Sequence, residues 1–216
     1  MKKSFFCSWS GGKDSCLALY YAMKYYGEPG CLFSMLEEDG NYSRSHRIPK
    51  AILQQQAEKI NVPIEFNAAT WEQYEGKYIE TLKEFRKMNI VCGVFGDIDI
   101  EEHRDWCKRI CESNGMETYH PLWKRSRAEL LREFMDLGFQ ARIIVTQADK
   151  LGSEYLGRVM DQEMIKEFQD LGIDISGELG EYHTIVTNGP IFRSELKFEA
   201  GEKILKDNYW FLTIEE

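Results

Sequence analysis

Apolar and polar positions alternate along the first half of the chain in a way that predicts strands and helices in turn. Short, mostly apolar runs predict strands at 5–9, 30–36, 63–68 and 90–96, and a short fifth strand is predicted at 117–120, before Pro121. Between them, apolar residues recur every three or four positions and predict helices at 16–26, 49–60, 72–89 and 100–114. Strands that alternate with helices favour an α/β domain with a five-stranded parallel sheet and right-handed crossovers.

The pattern changes after about residue 124, where the predicted elements no longer alternate regularly. Helices are predicted at 126–137 and 154–171, and strands at 139–146, 183–187, 195–198 and 209–214. Residues 172–180 are rich in turn-forming types. We therefore predict two domains, an α/β domain at 1–124 and a smaller α+β domain at 125–216.

A glycine-rich turn with the sequence SGGKDS joins the first predicted strand to the first predicted helix. Its glycines can adopt backbone angles that other residues avoid, and they leave room for a ligand. The helix that follows offers free N–H groups and the positive end of its dipole, a combination that binds phosphate. A plain turn with an N-capping serine is the alternative. The candidate nucleotide-binding residues of this turn are Ser10, Gly11, Gly12, Lys13, Asp14 and Ser15.

A second candidate position follows the fourth predicted strand, at Gly96 and Asp97. In open α/β sheets, ligands bind beyond the carboxyl ends of the strands. The glycine allows a nucleotide to approach the backbone, and the Asp97 carboxylate can bind Mg²⁺ or a ribose hydroxyl. An aspartate that caps the next helix is an equally good interpretation.

A third candidate stretch is GELGEYHT at 177–184, which precedes a predicted strand in the second domain. It combines two carboxylates, Glu178 and Glu181, with the imidazole of His183, and Gly180 allows a tight turn. Histidine exchanges protons near neutral pH, and a neighbouring glutamate can act as a general base. An acidic surface turn is the alternative. The density of ionisable groups favours a site on a loop.

Composition narrows the classes of partner and compartment. The net charge of −9 disfavours broad contact with a nucleic-acid backbone, although residues 124–127 form one local basic patch. No apolar run approaches the roughly 20 residues of a membrane span, and the basic start lacks the features of a signal peptide, so we expect a cytoplasmic protein. The six cysteines lack metal-ligand spacing and are expected to pack as reduced thiols.

Four motifs occur in the same order as in a known family, and together they cover nearly the whole chain. They are SGGKDS at 10–15, GVFGDI at 93–98, HPLW at 120–123 and GELGEYHT at 177–184. The chain resembles the diphthine–ammonia ligase family of PP-loop ATP pyrophosphatases. The resemblance implies a PP-loop nucleotide-binding fold, adenylation of a substrate carboxylate by ATP, and displacement of AMP by ammonia to leave an amide.

The resemblance and the residues together assign roles to the candidate positions. ATP is expected at the SGGKDS turn with Gly96 and Asp97, and Mg²⁺ at Asp14 and Asp97. Catalysis is expected from Lys13, Glu181 and His183. The residues expected to bind the substrate are Glu178, Gly180, Glu181 and His183.

The acceptor and the wider function stay open at this point. Asp97 and residues 101–106 depart from the archaeal and eukaryotic pattern and resemble a bacterial-type member. The acceptor is therefore either diphthine on elongation factor 2 or a small carboxylic acid, with free ammonia or a separate donor. A tRNA-modifying PP-loop enzyme and a non-catalytic ATP-binding module are the alternatives, and a homo-oligomer is left open.

Overall fold

Within the residues that the structure describes, 3–44 and 46–215, five strands form one parallel sheet with the order β3-β2-β1-β4-β5. The structure is a computed structural model. The strands are β1 (Lys3–Ser8), β2 (Gly27–Leu36), β3 (Ile64–Ala68), β4 (Cys92–Val94) and β5 (Glu117–Tyr119). All five predicted strands are present, although β4 is shorter than the apolar run that predicted it.

Four helices connect these strands, as the periodicity predicts. They are α1 (Lys13–Tyr25), α2 (Lys50–Ile60), α3 (Tyr74–Lys87) and α4 (Glu101–Glu112). Helix α1 begins at Lys13, three positions before the predicted start at residue 16. The last three residues of the SGGKDS turn therefore belong to the first turn of the helix, where the backbone N–H groups lack intrahelical partners.

The central strand β1 is buried on both faces. Phe5 and Cys7 pack in one apolar cluster, whereas Phe6 packs in another on the opposite face of the sheet. Side chains alternate between the two faces of a strand, so a strand covered on both sides is apolar throughout. All six cysteines are buried free thiols, which agrees with the expected packing role.

An antiparallel sheet with the order β7-β6-β9-β8 is formed by four strands between residues 140 and 215. These strands are β6 (Gln140–Gln147), β7 (Tyr182–Asn188), β8 (Glu199–Lys206) and β9 (Tyr209–Glu215). The helices α5 (Arg127–Asp136) and α6 (Gln162–Asp170) precede and follow β6. The predicted α+β character of this part of the chain is confirmed.

Two predicted elements of the second half are wrong. The helix expected at 154–171 is interrupted: a short 3₁₀ turn at Ser153–Tyr155 is followed by α6. Gly157 adopts a left-handed φ of 87°, and α6 begins only after Asp161, whose side chain caps the helix by accepting the Met164 N–H. The strand expected at 195–198 is a loop, and β8 begins at Glu199. Every residue of β8 is exposed, so it carries no alternating apolar pattern that a sequence reading could detect.

The two sheets share one apolar cluster, which runs from Phe5 in β1 to Leu212 in β9. Helix α1 contributes to this cluster, as do β6 and β7. The domain boundary near residue 124 stays a prediction. No helix in the described ranges is long and apolar enough to cross a membrane.

Candidate active site

A cavity of about 790 Å³ opens beyond the carboxyl ends of β1 and β4 and is closed on one side by the turn before β7. The three candidate stretches of the sequence meet in its wall. The predicted site residues that line it are Ser10, Lys13, Asp14, Ser15, Gly96, Asp97, Glu178, Gly180 and His183. This wall does not include three of the predicted site residues: Gly11, Gly12 and Glu181.

The two glycines of the turn are needed for close packing by the protein itself. Gly11 has a left-handed φ of 77°, and a Cβ there would lie 2.8 Å from Oε1 of Gln56. A Cβ at Gly12 would lie 2.6 Å from Cε1 of His46 and 3.1 Å from the carbonyl oxygen of Thr184. The small residues therefore let α2, the loop after β2 and strand β7 approach the turn.

Part of the hydrogen-bonding capacity of the turn is used within the protein. The Gly12 N–H donates to Ser10 Oγ at 3.2 Å, and the Lys13 N–H donates to Thr184 Oγ1 at 3.1 Å. The Ser15 hydroxyl donates to the Gly12 carbonyl at 3.0 Å. Strand β7 thus contacts the same turn that the sequence assigns to phosphate.

Lys13 carries the positive charge nearest to the turn, and its side chain is only 8% exposed. Its Nζ lies 2.6 Å from Oδ2 of Asp14 and 3.8 Å from Oε1 of Glu178. Burial, followed by the nearby negative charge of Asp14, raises the pKa of Glu178 to about 7. A carboxyl group with this pKa can exchange a proton near neutral pH.

The turn that carries Glu178 is held by a chain of ion pairs and hydrogen bonds. Arg127 donates to Asp99 through Nε at 2.9 Å and Nη2 at 2.7 Å, and to Oδ2 of Asp174 through Nη1 at 2.6 Å. Asp174 in turn accepts the N–H of Ser176 at 3.2 Å and the N–H of Glu178 at 2.9 Å. Glu178 is therefore positioned by groups from both halves of the chain.

Glu181, for which catalytic and substrate-binding roles are expected from the sequence, is not part of the cavity wall. Its side chain is 4% exposed, and Oε1 accepts a hydrogen bond from Nζ of Lys150 at 3.3 Å. Oε2 accepts the N–H of Leu179 at 3.1 Å. Burial forces this carboxylate to satisfy its oxygens within the protein, so Glu181 stabilises the turn while Glu178 faces the cavity.

Asp97 lines the cavity and does not cap α4, so the capping alternative is wrong. The N-cap of α4 is Ile100, and no side chain caps it. Asp97 Oδ2 lies 3.5 Å from Nδ1 of His120, and Oδ1 lies 3.9 Å from Nδ1 of His103. A Cβ at Gly96 would lie 3.0 Å from the backbone carbon of Asp14, so the glycine brings the end of β4 against α1.

Two carboxylates in this wall, Asp14 and Asp97, are the oxygen donors that Mg²⁺ prefers. Among residues 3–44 and 46–215, no three His, Cys, Asp or Glu side chains converge to hold a metal ion. A magnesium ion that keeps water ligands and binds phosphate oxygens needs only one or two protein carboxylates. The donor set therefore fits Mg²⁺ held jointly with a nucleotide, and it does not form an all-protein cage.

Two residues that contact the cavity or the glycine-rich turn, His46 and Gln56, were not predicted from the sequence. His46 lines the cavity from the polar loop at 37–47; the sequence predicts a candidate position in this loop, at the end of the second strand, but does not single out His46. Ser45 in that loop lies outside the described residues. Gln56 is fully buried, and its Nε2 donates to the carbonyls of Gly11 at 3.0 Å and Val186 at 2.7 Å. Gln56 could have been found from its position, because it is a polar residue on the apolar side of α2.

An aromatic wall completes the cavity on the side of α3 and α4. The Tyr74 ring lies 5.7 Å from the ring of Trp71 and 5.8 Å from that of Trp106, measured between centroids. Such surfaces bind flat or apolar groups. The same cavity is also lined by the charged Lys13 and Glu178.

The central parallel strand ends in a glycine-rich turn, and a helix that begins with Lys13 follows it. This arrangement defines the class: an α/β protein with a PP-loop-type nucleotide-binding fold. Residues 2–118 match the family described as diphthamide synthase N-terminal domain, and residues 126–216 match its C-terminal domain. The chain belongs to the diphthamide synthase family.

Curated relatives are named diphthine–ammonia ligase. The human protein is 29% identical over 140 residues, covering 61% of this chain and 52% of its own length. The mouse protein is 25% identical over 224 residues, covering 91% of this chain and 83% of its own length. This chain thus spans about half of the human relative and most of the mouse relative in these alignments.

One solved structure, from Methanocaldococcus jannaschii, is titled a predicted subunit of tRNA methyltransferase. It has a TM-score of 0.48 and 14% identity, and the match covers 87% of this chain and 98% of that chain.

Proposed function

We propose that this protein is an ATP-dependent ligase that joins ammonia to a carboxylate through an acyl adenylate. The observation that carries the proposal is the single cavity lined by Lys13 and Asp14 from the turn, Asp97 from the end of β4, and Glu178 and His183 from the second half of the chain. Family membership and the names of the relatives support an ammonia ligase over other chemistry.

The first step is the activation of the carboxylate. A carboxylate oxygen of the acceptor attacks the α-phosphorus of ATP, the bond to the β-phosphate oxygen breaks, and pyrophosphate leaves with the electron pair. Lys13 and the first turn of α1 neutralise the negative charge of the phosphates. Asp14 and Asp97 would hold Mg²⁺, which supplies further charge neutralisation when it is bound.

The second step is the transfer of ammonia. The nitrogen lone pair attacks the acyl carbon, the bond from this carbon to the AMP oxygen breaks, and AMP leaves with the electron pair. The nitrogen releases one proton as the amide forms. Glu178 is the proposed acceptor of this proton, because its carboxyl group faces the cavity and its pKa is raised to about 7 by burial.

The acceptor is the finer part of the proposal. Relatives named diphthine–ammonia ligase make diphthine on a protein the first candidate. A small carboxylic acid is the second candidate, and the cavity of about 790 Å³ is within the range of small-molecule sites.

The proposal is tested by the products of turnover. The purified chain is incubated with ATP, Mg²⁺, ammonium chloride and each candidate acceptor, and the nucleotides are separated by chromatography. We expect AMP and pyrophosphate in equal amounts, only when both ammonium and an acceptor are present. ADP as the main product, or AMP formation that the Lys13→Met variant matches at the wild-type rate, would contradict the proposed mechanism.

A further inference from the structure

His46 and His183 form a pair of imidazoles in the cavity wall. Their ring centroids are 4.5 Å apart, and their planes are inclined by 32°. His46 comes from the loop after β2, and His183 from strand β7. Two histidines from distant parts of the chain therefore line one cavity as neighbours.

One contact fixes the tautomer of His46. Its Nδ1 lies 3.0 Å from the carbonyl oxygen of Thr184, and a carbonyl oxygen can only accept a hydrogen bond. Nδ1 therefore carries the proton in the neutral ring, and Nε2 keeps its lone pair. The backbone of Gly12 lies close to Cε1 on the same ring, so the imidazole is confined between the turn and β7.

The surroundings keep both rings uncharged. Burial lowers the pKa of His46 to about 4, against a smaller opposing effect of the Thr184 carbonyl and Asp14. Burial, the neighbouring His46 and the Lys13 charge hold the pKa of His183 well below its usual range. At neutral pH the pair therefore offers nitrogen lone pairs beside the Lys13 charge.

We propose that the His46–His183 pair is the subsite for the nitrogen nucleophile, with Nε2 of His46 accepting a hydrogen bond from ammonia. The inference rests on the proposed ligase function and deepens it, since it names the place where ammonia binds. Ammonia is a small donor with three N–H groups, so a pair of acceptors holds it better than the lysine of the turn can. The carboxylate of Glu178 belongs to the same cavity and receives the proton that the nitrogen releases.

The structure offers variants that separate the two functions of the His46 ring. His46→Asn keeps an N–H donor near the position of Nδ1, so it can still anchor to Thr184, but it removes the Nε2 acceptor. His46→Phe keeps the size of the ring and removes both nitrogens. His103→Asn is the control, because His103 lines the same cavity but lies beside Asp97.

The direct test is the binding of ammonium chloride to the full chain with α,β-methylene-ATP, followed through the imidazole nitrogen resonances of the four histidines. Potassium chloride is the matched salt, because the potassium ion has a similar size and charge but no hydrogen to donate. We expect saturable shifts at His46 and His183 with ammonium only, retained in His103→Asn and lost in both His46 variants. Equal shifts with both salts, or undiminished shifts in His46→Asn, would overturn the proposal.

A kinetic test separates this inference from the ligase function. With an active acceptor, His46→Asn should raise the KM for ammonium about five- to tenfold, the effect of losing one hydrogen bond, and leave the affinity for ATP unchanged. If AMP forms and the KM for ammonium is unchanged in this variant, the subsite is wrong and the ligase stands. If none of the tested acceptors supports AMP formation and ammonium still shifts the two histidines, the ligase reaction is contradicted for these acceptors and the pair stands as an ammonia-binding site.

Discussion

The ammonium group of Lys13 lies 3.8 Å from the carboxylate of Glu178, although one residue begins the first helix and the other precedes the seventh strand. The same ammonium group lies 2.6 Å from the carboxylate of Asp14. Because the buried Lys13 pairs with two carboxylates, an anionic ligand can replace one of them as its partner. We therefore propose that the triphosphate of ATP competes with these carboxylates for Lys13.

Replacing Lys13 with methionine should weaken the binding of ATP far more than that of adenosine. The phosphates lose a charge-assisted contact worth about 1.5–3 kcal/mol, which corresponds to roughly a ten- to hundredfold loss of affinity. Calorimetry with both ligands measures the difference. The control is Lys150→Met, which removes a lysine that pairs with Glu181 away from the cavity and should leave both affinities intact.

The two glutamates of the turn before β7 should respond differently to the same substitution. Glu178→Gln removes the proposed proton acceptor and should lower amide formation by about 10²–10⁴-fold, with little change in ATP affinity. Glu181→Gln breaks a partly buried contact with Lys150 and should instead lower the free energy of unfolding by about 1–3 kcal/mol. Rate assays and denaturant unfolding of both variants check the pair. If Glu181→Gln lowered amide formation and Glu178→Gln lowered only the stability, Glu181 would be the catalytic residue.

The turn and the sheet could be predicted from the sequence because both leave local signals. An apolar run that ends in SGGKDS defines β1 and the start of α1 with an error of only a few residues. No local signal distinguishes the roles of Glu178 and Glu181, because the difference depends on which carboxylate contacts Lys150, a residue distant in the sequence. His46 was missed for the same reason: its partners, His183 and the Thr184 carbonyl, are distant in sequence.

Gln56→Leu should destabilise the protein strongly, whereas the same change at Gln54 should not. The Gln56 amide donates to the Gly11 and Val186 carbonyls, and its Oε1 accepts the indole N–H of Trp9 at 2.9 Å. Leucine fills the space but leaves these buried groups without a partner, at a cost of about 2–4 kcal/mol. Gln54 is exposed on the same helix and serves as the control. Equal stabilities of the two variants in urea would contradict this role.

His46 should make the folded state less stable as the pH is lowered from about 6.5 towards 4, whereas the raised pKa of Glu178 should act in the opposite direction between about pH 7 and 4.5. The pKa of His46 is lowered from 6.5 to about 4, so between these values the unfolded chain binds a proton that the folded chain does not. The charged or titratable groups around the ring are Lys13 and Asp14 on α1 and His183 on β7. The free energy of unfolding of the wild type minus that of His46→Asn should therefore decrease as the pH is lowered across this range, because Glu178 is present in both proteins. The exposed His103, with a side chain 65% accessible, is the control: His103→Asn should retain the wild-type slope.

Gly12→Ala should act through His46, and a double-mutant cycle can show this. Gly12 has a φ of −89°, which alanine adopts without strain, but the added Cβ would lie 2.6 Å from Cε1 of His46. The substitution should therefore cost about 1–3 kcal/mol in the wild type and clearly less in His46→Ala, where the ring is absent. Part of the cost should persist, because the Thr184 carbonyl lies 3.1 Å from the same position.

Gly11→Ala provides the contrast. Gly11 has a left-handed φ of 77° and its Cβ would meet Gln56, so its cost should be the same with or without His46. Denaturant unfolding of the single and double variants gives the coupling energies. A coupling near zero between positions 12 and 46 would mean that the glycine is not required by the imidazole, and the confinement of His46 between the turn and β7 would need another cause.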